Sequence, residues 1–221
     1  MGKLLILGIL AVSASAPPAQ ANIPSPAKAA AELGKCIVKA DRGAAVSLLK
    51  TLPLSGNQVD WSAASLGGAG KCRNAATETV SISALRGGIA QELYKRDFAD
   101  FGMQPQRAVY DLASFKLPVE KDLMGAEDPA KTLFLTADCV ARSNPQGAEK
   151  LIKSEPASEV EGRIFDSLAP WLSACQGAAR MAYGRGELRS AIAQAAYHVS
   201  ARYWAGQMTN KGPELGPEGL R

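Results

Sequence analysis

Two stretches decide the fold: "CIVKADRGAAVSLLK" at residues 36–50 and "CVARSNPQGAEKLIK" at residues 139–153. The second restates the first at a fixed step, since 139 − 36 = 103. Sliding the chain along itself by that step sets Leu48 on Leu151, Lys50 on Lys153, Pro53 on Pro156 and Cys72 on Cys175. It then sets "LRGGIAQELY" (85–94) on "LRSAIAQAAY" (188–197). Of the 59 positions from 36 to 94, 15 are identical, where residue usage alone gives about four at a fixed register. We read an internal duplication. The step is too long for a solenoid of short units, and two copies suggest a pseudo-symmetric pair.

Each copy reads as about four helices. In the first, residues 26–41 are rich in alanine and poor in breakers, a good helix by propensity. Further helices are expected at 43–52, stopped by Pro53, at 58–73, weakened by three glycines, and at 83–98. The second copy carries clearer start signals. Asp128 precedes Pro129 and Asn144 precedes Pro145, each setting a capping side chain before a proline in the first helical position. Ser158 with Glu161 forms a capping box that opens a helix to about residue 176. Pro170 is expected to kink or break that helix near Ala169. The last helix is expected over 186–204. Leu85, Ile89 and Leu93 recur at four-residue steps, as do Leu188, Ile192 and Ala196, which lines one face of a helix. The segments "TETVS" (77–81) and "RMAYG" (180–184) leave room for one short strand per copy. The fold class expected is therefore all-α, a tandem duplication of a unit of about four helices.

The expected organisation is a signal peptide at 1–21, repeat 1 at 22–102, a connector at 103–127, repeat 2 at 128–205 and a disordered tail at 206–221. The signal reading rests on Lys3, the nine-residue apolar run "LLILGILAV" and Ala19-Gln20-Ala21 before a cut, in the order that export signals use. The run is far short of the roughly 20 apolar residues of a spanning helix. No other segment is long and apolar enough, so no transmembrane span is expected after signal cleavage. The formal charge of +4 is scattered rather than gathered among aromatics, which argues against nucleic acid as a partner.

Four cysteines in an exported chain imply two disulfides, with three possible pairings. The repeat makes Cys36–Cys72 with Cys139–Cys175 the simplest choice, each copy stapling its first helix to its third. Bridges between equivalent cysteines of the two copies would also respect the symmetry. No Cys-x-x-Cys pair suggests a metal site or thiol redox chemistry, and no metal or cofactor is expected.

The binding candidates lie on the last helices. Arg86, Gln91 and Tyr94 match Arg189, Gln194 and Tyr197. One reading gives them a ligand face, with arginine for an anion and tyrosine for stacking. The favoured reading is structural, because duplicates keep packing residues as readily as functional ones. His198 is the single histidine. It lies off the apolar face and is expected at the surface, so a histidine-based triad or metal site has no support. The run from Gly67 to Lys71 has the wrong spacing for a phosphate loop. Phe101 aligns with Trp204, and Trp61 and Trp171 are expected to anchor cores or the junction of the copies.

The unit of a cysteine, a Leu-Leu-Lys-Thr-like helix (48–51), a second cysteine and Leu-Arg-x-x-Ile-Ala-Gln-x-x-Tyr resembles an uncharacterised group of exported bacterial two-cysteine helical-repeat proteins. The resemblance spans most of the chain after residue 21. It implies an exported helical protein and brings no catalytic residues. The function expected is a non-enzymatic binding or assembly module of the cell envelope, with its site in the groove between copies. Its partner would be an envelope protein, a peptide or a small molecule. The alternative is a small envelope hydrolase whose catalytic residues the sequence does not reveal.

Overall fold

Ser25 opens the first helix by accepting a hydrogen bond from the Lys28 N–H at 3.4 Å, with Pro26 in the first turn. The resulting α1 (Pro26–Ala40) buries Ala29, Ala30, Leu33, Gly34, Ile37 and Val38 along one stripe. This is the amphipathic pattern a surface helix needs. The computed structural model describes residues 25–50, 71–72, 80–98, 100–103, 129–176 and 182–210. Among them are seven helices and no strand.

The corner after α1 is made by Asp41. Its N–H donates to the Ile37 carbonyl at 2.8 Å and its Oδ1 accepts from Ala44 N–H at 2.9 Å. One residue thus ends α1 and caps α2 (Arg42–Lys50). Asn144 repeats the device between α4 (Pro129–Ser143) and α5 (Pro145–Lys153). It donates to Val140 O and accepts from Gly147 N–H, both at 2.9 Å. Between the two corners lies α3 (Ile82–Phe98), capped by Ser81 Oγ on Ala84 N–H. The chain closes with α6 (Glu159–Gln176) and α7 (Arg185–Asn210). The starts of α1 and α4, of α2 and α5, and of α3 and α7 each differ by the same step: 129 − 26, 145 − 42 and 185 − 82 all equal 103.

The helices touch in the order α1, α3, α7, α4, with α2 laid on α3 and α5 on α7. The two inner helices are covered on both flanks, so polar as well as apolar residues of α3 are buried. At the α1–α3 crossing Gly34 meets Gly88 so closely that a Cβ on either would strike the other helix's backbone.

The two bridges join the first cysteine to the second and the third to the fourth. Cys36–Cys72 and Cys139–Cys175 each span 36 residues with Cα atoms 5.7 Å apart. Among the described residues no helix is long and apolar enough to cross a membrane.

Several expectations change. Pro170 does not break α6, which runs through it to Gln176. Leu168 is fully buried before the proline and Cys175 is tethered beyond it. Contacts on both sides therefore hold the helix across its one missing N–H donor. The described parts of the two candidate strands, Val80–Ser81 and Ala182–Gly184, are not strand; Tyr183 instead donates its hydroxyl to the Pro129 carbonyl. The last helix continues to Asn210, five residues into the stretch expected to be disordered. Met103, placed in the connector, is buried in the core. Trp171 is 41 % exposed and anchors no core. Thr51–Leu52, most of the 58–73 helix including Trp61 and its three glycines, and the remainder of the connector and tail lie outside the described residues.

Candidate functional site

Of the six candidate binding residues, four form two crossed pairs between α3 and α7. Arg86 Nε donates to Gln194 Oε1 at 3.0 Å, and its NH1 donates to the Leu48 carbonyl at 2.7 Å. Arg189 NH2 donates to Gln91 Oε1 at 2.9 Å and to the Ser154 carbonyl at 2.7 Å. Each arginine thus bonds the glutamine of the opposite helix. Burial makes these bonds count, because an unpaired polar group there would lose its hydration without return. Arg86 and Arg189 are only 1 % and 5 % exposed.

The two arginines are compensated differently. Arg189 NH1 also meets Glu161 Oε1 at 2.7 Å, a buried ion pair. Glu161 Oε2 accepts from Ala157 N–H at 2.6 Å while its own N–H donates to Ser158 Oγ. The capping box thus doubles as the counter-charge of the seam. At Arg86 burial alone pulls the pKa down, to about 10. The residue 103 positions before Glu161 is Gln58, an amide.

The tyrosines form a ring cluster instead. Tyr94 lies 5.9 Å from Phe98, and Phe98 lies 5.8 Å from Tyr197, centroid to centroid. Among the described residues the buried Tyr94 hydroxyl has no hydrogen-bond partner, and the Glu149 and Ser200 side chains lie near it. Burial, then the Glu149 charge, push its pKa up. Tyr197 is raised likewise, by burial and then Asp97.

Equivalent positions also meet face to face. A Cβ built on Gly87 would stand 2.5 Å from Ser190 Cα, and the Phe101 and Trp204 rings are 4.9 Å apart. These contacts join like ends, so α3 and α7 run parallel.

His198 is not at the surface as expected. It is half-buried on α7, edge-on to Phe134 and Tyr197. Burial, then Arg202 and Arg86, lower its pKa to about 4, against a hydrogen bond to the Leu49 backbone. Its imidazole is therefore neutral near pH 7.

Above the arginine–glutamine pairs the seam opens into a cavity of about 230 Å³. Its walls are Ala27, Ala30, Ala31, Ala84, Gly87 and Gly88. Its polar lining is Ser81, Ser83, Gln91, Glu187, Arg189 and Ser190. The first turns of α1, α3 and α7 all contribute, through Pro26 and Ala27, Ser83 and Ala84, and Gly186 and Glu187. Each such turn carries a partial positive charge. Gln91 and Arg189 therefore reach this cavity, whereas Arg86, Tyr94, Gln194 and Tyr197 do not line it.

Sequence reasoning misses Glu187, Ser190 and the serines of the α3 start. The signal is present in the sequence at the 103-residue step: Gly87-Gly88 aligns with Ser190-Ala191, two small residues inside an otherwise similar motif. Among the described residues no cluster of His, Cys, Asp and Glu is disposed to hold a metal. No protein-family model, characterised protein or solved structure matches the chain.

Proposed function

We propose that this chain is an exported, non-enzymatic binding module built from a doubled helical unit, and that the cavity on the α3–α7 seam is its ligand site. The cavity carries the proposal, because there a mostly closed interface is left open and lined with unused polar groups. Ser190 is 7 % exposed, and its hydroxyl has no hydrogen-bond partner among the described residues. The Gln91 amide nitrogen is in the same position, its oxygen alone being engaged by Arg189. Binding sites place a few polar groups in small, mainly apolar hollows in this way.

The doubled unit is supported by the common 103-residue step of three helix pairs and by the two bridges of equal span. Under this reading the crossed arginine–glutamine bonds hold the halves in register and leave the cavity at one end. Export is supported by the signal-like first 21 residues and by disulfides that persist in oxidising compartments.

The test is saturation-transfer NMR on the protein from residue 22 onward. The probe is a low-molecular-mass extract of cell envelope. A compound that receives saturation from the native protein, and not from an Ala84→Trp variant that fills the cavity, supports the reading. Equal transfer to both proteins, or none to either, contradicts it.

A further inference from the structure

Resting on the binding reading above, we propose that the seam cavity takes a small zwitterionic α-amino acid, its carboxylate inward and its ammonium at the mouth. The inner surface supplies donors. Arg189 uses NH1 and NH2 for its five protein hydrogen bonds, leaving Nε–H without an acceptor among the described residues. Gln91, whose amide N–H₂ is unbonded among the described residues, and Ser190, whose hydroxyl is likewise unbonded, line the same hollow, each 7 % exposed. The converging first turns of three helices add positive potential of the kind that holds carboxylates and phosphates.

Glu187 decides between an anion and a zwitterion. It is exposed, lines the cavity and accepts from Gly184 N–H through Oε2 at 2.8 Å, with Oε1 left over. A carboxylate there repels a second negative charge such as that of phosphate and offers a partner to an ammonium group. The walls limit the side chain. Alanine and glycine line them, and 230 Å³ of space sits below the 300–1,000 Å³, roughly, of drug-sized pockets. A short aliphatic side chain fits; a large aromatic one does not.

Isothermal titration calorimetry on the protein from residue 22 onward tests this, with L-alanine, propionate, propylamine and inorganic phosphate as probes. L-alanine should bind, with propionate about tenfold weaker for loss of the Glu187 contact. Propylamine and phosphate should give no binding up to about 10 mM, the weak limit of the method. Glu187→Gln should erase the preference for alanine over propionate, and Ser190→Ala should weaken both several-fold. Circular dichroism and melting of each variant confirm that it folds. Alanine binding that survives Ala84→Leu, or phosphate binding more tightly than alanine, would overturn the assignment. If alanine fails while an extract compound passes the Ala84→Trp test, the amino-acid assignment falls and the binding reading stands. If both fail, both fall.

Discussion

Gly87 stands directly against Ser190, with a Cβ on the glycine placed 2.5 Å from the serine Cα and Cβ. Real Cβ atoms do not approach backbone so closely, and α3 cannot retreat because α1 meets its other side at Gly34 and Gly88. Alanine would normally stabilise a helix interior by about 1 kcal/mol over glycine. Here overpacking of about 1–3 kcal/mol outweighs that gain. Gly87→Ala should therefore lower the urea-unfolding free energy by up to about 2 kcal/mol. Gly186→Ala should cost nothing, since a Cβ at that position meets no atom within 4 Å.

The Arg189–Glu161 pair predicts a strong asymmetry between breaking and replacing. Its two side chains are 6 % and 9 % exposed and 2.7 Å apart. Glu161→Gln leaves a buried guanidinium without its counter-charge and should cost about 3–5 kcal/mol. The double change Arg189→Met with Glu161→Met removes both charges and should cost less than Glu161→Gln alone. Chemical denaturation of the two variants checks the order.

Each bridge closes a 36-residue step, which by the chain-entropy account stabilises the fold by about 4 kcal/mol. Cys36→Ser should lower the melting temperature and leave Cys72 open to thiol reagents, while Cys139 and Cys175 stay unreactive. Mass spectrometry after alkylation reads the result directly.

His198 makes stability depend on pH in a definite direction. Its folded pKa, lowered to about 4 from 6.5, means that the unfolded chain binds a proton the folded chain refuses. Stability should fall as pH drops from about 6.5 to about 4 and then level off, by at most about 3 kcal/mol from this group. Subtracting the profile of His198→Gln isolates the contribution. A difference profile that is flat across this window contradicts the burial described for the imidazole.

The helix plan is legible in the sequence because its signals are local. Prolines after Asp128 and Asn144, the Ser158–Glu161 box and the four-residue apolar steps each act within a turn or two. The equal spacing of the two cysteine pairs, 36 residues in each, points to their pairing, a long-range relation that the local signals do not carry. What stays hidden depends on packing between helices. His198 reads as exposed because the sequence of α7 shows one apolar face, whereas α3 and α4 cover the helix from two sides. Arg86 and Arg189 stand out in the repeat, but only the crossing of α3 and α7 reveals that each bonds the glutamine of the opposite helix. The cavity is illegible for the same reason: its walls come from three helices, and glycine and serine at 87 and 190 announce nothing until they face each other.

The parallel seam is most directly tested by cross-linking. With Phe101 and Trp204 both changed to cysteine, a short bismaleimide should join the two positions, whose native rings lie 4.9 Å apart. The pair Ser83→Cys with Trp204→Cys joins opposite ends of the helices and should stay unlinked. Efficient linking of Ser83 to Trp204, with Phe101 and Trp204 left free, would mean that α3 and α7 run antiparallel and that the seam and its cavity do not exist as described.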